Sequence, residues 1–318
     1  MRSVVRSMTL AFAVAACGGG GGSPDDGGDG GAVDGGTADA FTGDPLDGVG
    51  AVEPVMGGFM FVEGPQWRDG DADLLFSDIP ASTIYRLGPG GAVTVFRQPS
   101  DMSNGLALDP QGRLLAAEHG ARRLSRTENG AVSAVAERFE GARLNSPNDV
   151  VVRDDGTIYF TDPPYGISDA DRELDFIGVF RVAPDGTVTA ERRGALTERP
   201  NGVVLAPDQA VLYVDDSDAA VVRAFDVMPD GALGAARTFA TTAATPDGMA
   251  IDAAGNLFVS TSAGIEVFAP DGTRWGAIAI PEQPANCAFG DADHRTLYVT
   301  AQTGLYRVRL AHPGLPRR

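Results

Sequence analysis

The chain has 318 residues, a formal net charge of -18 and only two cysteines, Cys17 and Cys287. With so acidic a balance and no basic stripe, nucleic acid is excluded as a partner. Two cysteines, one of them in an export-type leader, leave no intrachain disulfide, so stability has to come from a buried core.

The N-terminus carries Arg2 and Arg6, then an apolar run from Met8 to Ala16 that stops at Cys17. This is the layout of a bacterial export signal. The run is far shorter than the roughly 20 residues of a spanning helix, which argues against an integral membrane protein. Val14-Ala15-Ala16-Cys17 resembles a lipobox, so residues 1–17 are expected to be a lipoprotein-type signal, with Cys17 lipidated. The chain would then be exported and lipid-anchored in the bacterial cell envelope, periplasmic or at the outer membrane, touching membrane only through that anchor. Residues 18–50 hold 14 of the 42 glycines and seven aspartates without a Lys or Arg. Such a composition buries too little apolar surface to fold and suits a disordered tether. Residues 51–318 remain for the folded domain.

That domain carries a repeat. Glu63-Gly64-Pro65, Asn104-Gly105-Leu106, Asn148-Asp149-Val150, Asn201-Gly202-Val203, Asp247-Gly248-Met249 and Asn286-Cys287-Ala288 each open a short apolar strand, at spacings of 41, 44, 53, 46 and 39. Second strands follow on schedule, such as Leu74–Ser77, Ile158–Thr161 and Leu297–Thr300, rich in β-branched and aromatic residues. Spacings near 40 to 50 are those of four-stranded propeller blades. The chain is therefore expected to be all-β, a six-bladed β-propeller. The last repeat has three strands, and the unclaimed strand around Val52 to Met56 is expected to complete it and close the ring.

The first strand of each blade lines a propeller's channel, which places Glu63, Asn104, Asn148, Asn201, Asp247 and Asn286 on one ring. Asn and Asp before Gly are also turn formers, but Glu63 has no such role. Two carboxylates and four amides make an oxygen-rich site suited to a hard divalent cation such as Ca²⁺, Mg²⁺ or Mn²⁺. The far ends of the second strands return to the same face with Asp78, Glu118, His119, Asp162, Asp215, Asp216, Thr261 and Gln302. His119 is one of three histidines and titrates near neutrality if unperturbed. Cys287, in the innermost strand of the last blade, reads as a small core residue.

Phe61-Val62-Glu63-Gly64-Pro65-Gln66-Trp67, Leu144-Asn145-Ser146-Pro147-Asn148-Asp149, Phe160-Thr161-Asp162-Pro163-Pro164-Tyr165-Gly166, Arg199-Pro200-Asn201-Gly202 and Pro246-Asp247-Gly248-Met249 resemble the gluconolactonase, senescence marker protein and luciferin-regenerating enzyme family, in its bacterial gluconolactonase branch. The resemblance runs from Phe59 to Arg309. It implies a six-bladed propeller with one axial divalent metal that hydrolyses sugar lactones. Carried over, it implies that Glu63, Asn201 and Asp247 bind the metal, that Asn148 contacts metal or substrate, and that Asp247 is the general base. Ca²⁺ is the first expectation, with Mg²⁺, Mn²⁺ and Zn²⁺ as the other candidates.

Hydrolysis of a cyclic ester needs a polarised carbonyl, an activated water and a proton for the leaving ring oxygen. Asn104, His119 and Asp162 are expected to join Asn148 in holding the small-molecule lactone. No Gly-x-Ser-x-Gly elbow is present, so a serine-nucleophile esterase has little support. Two alternatives stay open: hydrolysis of another ester or phosphotriester with the same metal and base, and a non-enzymatic surface-binding propeller with a structural ion. Nothing in the sequence bears on oligomeric state.

Overall fold

Each repeat opens an antiparallel four-stranded sheet, and the innermost strand of every sheet touches the innermost strands on both sides, the sixth meeting the first. The computed structural model describes residues 43–315, which fall in one unit, Ala40–Arg318. The expected signal, Cys17 and the linker up to residue 42 lie outside the described residues.

In chain order the innermost strands are Val62–Arg68, Ser103–Leu108, Val150–Val152, Pro200–Leu205, Pro246–Ile251 and Pro284–Gly290. The second strands are Asp73–Asp78, Leu114–Glu118, Ile158–Asp162, Val211–Asp216, Leu257–Thr261 and Thr296–Ala301. Both sets are almost wholly buried, because a blade packs a neighbour against each of its faces. Outermost strands such as Val93–Arg97 are largely exposed. The closing strand is Val52–Gly57, which pairs antiparallel with Gly304–Arg309 from Val52 opposite Val308 to Gly57 opposite Gly304. Its side chains are mostly exposed, as suits an outermost strand.

The core lies between blades. Between the second and third, Leu115, Leu124, Val150, Phe160 and Phe180 form one cluster, with the Phe160 and Phe180 rings stacked at 5.2 Å. Each such buried side chain stabilises the fold by about 1.5–3 kcal/mol. Cys287 is fully buried, as the sequence indicates. Residues 43–50, placed with the tether on composition, form a turn whose Leu46 and Val49 pack on the sixth-blade cluster. Gly50 N–H donates to Arg309 O at 2.8 Å. Among the described residues the one helical turn is Asp169–Asp171, and no helix is long and apolar enough to cross a membrane. That turn belongs to the long connection between Asp162 and Ile177, which accounts for the widest repeat spacing.

Candidate functional site

The innermost strands converge at the ends where the polar repeat residues sit, and the glycine after the polar residue is what lets them come so close. A Cβ on Gly64 would stand 2.1 Å from Asn104 O, one on Gly202 2.4 Å from Asp247 O, and one on Gly248 1.9 Å from Asn286 Cγ. Of these three only Gly64 has positive φ, so at Gly202 and Gly248 the constraint is space rather than turn chemistry. Hydroxyls from the second strands then tie the ring together: Ser77 Oγ donates to Asn104 O at 2.8 Å and Thr161 Oγ1 to Asn201 O at 2.7 Å.

Five of the six ring residues, Glu63, Asn104, Asn148, Asn201 and Asp247, line one cavity of about 440 Å³. The sixth, Asn286, is folded back: its Oδ1 accepts from Cys287 N–H at 2.8 Å, and the side chain lies against Gly248. The amides are chained. Asn104 Nδ2 donates to Asn148 Oδ1 at 2.7 Å, Asn148 Nδ2 donates to Asn201 Oδ1, and Asn201 Nδ2 donates to Ser217 Oγ at 3.1 Å. Phe61, Ile79 and Pro246 supply apolar wall.

The floor is rich in carboxyl groups. Burial pushes the Asp247 carboxyl well above its ordinary range, and the charges of Glu63, Asp215 and Asp149, together with a hydrogen bond to Glu63, push it the same way. Burial likewise raises Asp215, whose Oδ2 accepts from Gly202 N–H at 3.0 Å and whose Oδ1 has no hydrogen-bond partner. Among the described residues no three His, Cys, Asp or Glu side chains form a metal-binding cluster, so a cation here would depend on two carboxylates plus amide oxygens. That donor set fits a hard divalent ion, which would supply a counter-charge to the carboxylates.

His119 reaches the cavity from the end of the second blade's second strand, and its Nε2 donates to Asn148 Oδ1 at 3.1 Å. Burial pulls its pKa down to about 4, so the histidine is perturbed and its imidazole is neutral at neutral pH. Asp162 does not line the cavity, contrary to its expected contact with substrate. It is fully buried and accepts from Asn145 N–H at 2.8 Å, holding the segment that leads into Asn148 from behind.

The other second-strand carboxylates are buried in similar work. Asp78 accepts from Met60 and Phe61 N–H, Asp216 accepts from Arg199 N–H, and Glu118 is held by Arg97, Arg123 and Ser125. Conversely, Tyr165, Ser217, Thr245 and Gln283 line the cavity and were not singled out in the sequence. Tyr165 lies within the Phe160–Gly166 motif, and Gly166 beside it is a usable signal: a Cβ there would stand 2.6 Å from His119 Cβ, so that loop packs directly on the histidine.

Asp162 has a measurable signature. Burial pushes its carboxyl from 3.8 up to about 7. The folded state therefore binds the proton more tightly than the unfolded chain, and this group's contribution makes stability fall as pH rises through that window. Asp162→Asn keeps an oxygen for Asn145 and removes the titration. Its stability relative to the wild type should increase between about pH 5 and pH 8, by on the order of 3 kcal/mol. A stability difference that does not change with pH in paired denaturant melts would contradict this account.

The chain matches the family described as the SMP-30/Gluconolactonase/LRE-like region over residues 61–303. It is 36% identical to a gluconolactonase of Zymomonas mobilis over 81% of both chains. It is also 28% identical to the pentonolactonase XacC of Haloferax volcanii, over 76% of this chain and 81% of that one. A solved gluconolactonase structure from Xanthomonas campestris superposes with a TM-score of 0.77 at 33% identity, covering 82% of this chain and 89% of the other. Fold and relatives together define a β-propeller enzyme of the lactonase class. The chain belongs to the SMP-30/gluconolactonase/LRE-like family.

Proposed function

We propose that the enzyme hydrolyses a sugar lactone of the gluconolactone type to its aldonic acid, assisted by one divalent metal, with Asp247 as general base. The observation that carries this is the group of carboxyls gathered around Asp247, Glu63 hydrogen-bonded to it among them, on the floor of a cavity walled by amides. Glu63, Asn201 and Asp247 would hold the ion, with Asn148 alongside. Ca²⁺ suits an all-oxygen set best, and Mg²⁺, Mn²⁺ and Zn²⁺ are the other candidates. When bound, such an ion acts as a Lewis acid towards a carbonyl oxygen.

The remaining work falls to the chain's own groups. Asp247 takes the proton from the attacking water and returns it to the ring oxygen as the ester bond breaks. Asn104 and Asn148 present amides to the sugar hydroxyls, and neutral His119 fixes the orientation of Asn148 through its Nε2. Phe61, Ile79 and Pro246 exclude bulk water from one side.

Acid release from glucono-1,5-lactone should fall to the uncatalysed rate after chelation and recover when Ca²⁺ or Mn²⁺ is restored. Added ion should also raise the melting temperature, since a ligand bound only by the folded state stabilises it. Turnover that persists after exhaustive chelation would remove the metal from the mechanism.

A further inference from the structure

A second depression, of about 520 Å³, adjoins the lactone cavity, and Tyr165 stands in the wall of both. Its other lining residues include Met102, Arg122, Arg143, Ser168 and Asp171. The chain contains no lysine, so all its side-chain cations apart from histidine are guanidinium groups, and most of those described bind carboxylates closely. Arg97 and Arg123 hold Glu118 at 2.7 and 2.5 Å, and Arg181 holds Glu191 at 2.6 Å.

Arg122 and Arg143 differ. Arg122 is 7% exposed and is held by neutral carbonyls: Nε donates to Leu144 O at 2.8 Å and Asn145 O at 3.0 Å, and Nη1 to Asp171 O at 2.9 Å. Its nearest ion-pair partner is Glu173, at 3.8 Å, and its Nη2 has no hydrogen-bond partner. Arg143 Nη2 donates to Ala121 O at 3.0 Å, and among the described residues its guanidinium forms no ion pair. Glu173 is itself half-exposed and accepts from Arg143 backbone N–H, while the Asp171 carboxylate accepts from Ser168 Oγ at 2.6 Å. Burial and the neighbouring Arg143 charge both work against the Arg122 cation, and the charges of Glu173, Asp162 and Asp171 offset them only in part. An oxyanion between the two would reverse that disadvantage, and the planar guanidinium fork is shaped for one.

We propose that this depression is an anion subsite that receives an acidic substituent of the lactone, a phosphate, sulfonate or carboxylate, so that Arg122 and Arg143 select anionic sugar lactones. The proposal rests on the lactonase reading and names its substrate class. Tyr165, shared by the two depressions, lies where the sugar ring would pass from the carbonyl end to the charged end.

The test compares glucono-1,5-lactone with its 6-phosphate, using the full chain and its Arg143→Gln and Arg143→Lys variants. Inorganic phosphate is titrated calorimetrically into each. The wild type should favour the phosphorylated lactone in kcat/KM, mainly through KM, and Arg143→Gln should reduce that ratio about tenfold, in line with loss of a charge-assisted hydrogen bond. Arg143→Lys should keep part of the preference. Phosphate should bind the wild type and compete with the phosphorylated substrate, and Arg143→Gln should weaken both effects.

Equal kcat/KM for the two lactones, or a preference unchanged in Arg143→Gln, overturns the proposal. Phosphate binding without substrate discrimination would indicate a site for free anions and also overturns it. If neither lactone is hydrolysed, the lactonase reading has failed separately. Calorimetry then decides the subsite alone: binding lost in Arg143→Gln upholds an anion site, and no binding to the wild type removes it.

Discussion

Asp247→Asn should lower kcat for lactone hydrolysis by about a thousandfold while leaving the propeller folded, within the range for loss of a general base. The amide keeps the size of the side chain and one oxygen, but it cannot accept the water proton and return it to the leaving oxygen. Folding should not suffer, because the wild-type carboxyl is held above its ordinary pKa by burial and by Glu63, Asp215 and Asp149. Removing a charge from that cluster relieves repulsion, so the metal-free variant should melt at the same temperature as the wild type or higher. The pair of readouts separates the possible roles: a large fall in kcat with an unchanged or raised melting point is the signature of a base. Lost turnover together with a lowered melting point would assign Asp247 to the framework. Unchanged turnover would show that a group other than Asp247 takes the proton from water.

The architecture was legible because a propeller repeats itself. Six polar residues at blade-like spacing located the innermost strands, and the three-stranded last repeat called for the closing strand that Val52–Gly57 provides. The ring was legible for the same reason in five positions. Asn286 departs because Cys287 follows it where most other repeats have glycine, and its side chain turns to its own backbone and to Gly248.

What the pattern could not carry was the direction of individual side chains at strand ends. Asp78, Asp162 and Asp216 all end second strands on the cavity face, yet each turns to the N–H groups of the segment entering an innermost strand, since those donors are buried and need acceptors. Their register is the usable signal: Asp78 pairs with Val62 and Asp216 with Pro200, each one residue before a ring position. Tyr165, Ser217, Thr245 and Gln283 come from connections without period, whose paths depend on tertiary packing. His119 was visible as a residue, but its neutrality follows from burial, which no spacing discloses.

Gly64→Ala should be among the most damaging single methyl additions in the chain, because it combines two costs that other glycines allow to be measured apart. Gly64 has φ +54, and its added Cβ would stand 2.1 Å from Asn104 O, 2.9 Å from Asn104 C and 3.0 Å from Gly105 Cα. All three are backbone atoms of the neighbouring innermost strand, which is itself held by Ser77 Oγ on Asn104 O and by Gly105 N–H on Asn148 O, each at 2.8 Å. No side chain can swing aside, so relief requires two blades to move apart where the cavity is assembled. Gly112 has φ +74 with nothing near its Cβ direction, and Gly70 has open space without positive φ. Gly70→Ala should therefore be nearly neutral, and Gly112→Ala should cost about 1 kcal/mol for the left-handed backbone alone. Gly64→Ala should exceed about 4 kcal/mol, the range reserved for core overpacking and similar failures. Denaturant melts of the three variants measure the difference, and a Gly64→Ala cost no larger than that of Gly112→Ala would mean that the ring yields to a methyl group and that close approach of the innermost strands is not what the repeat glycine secures.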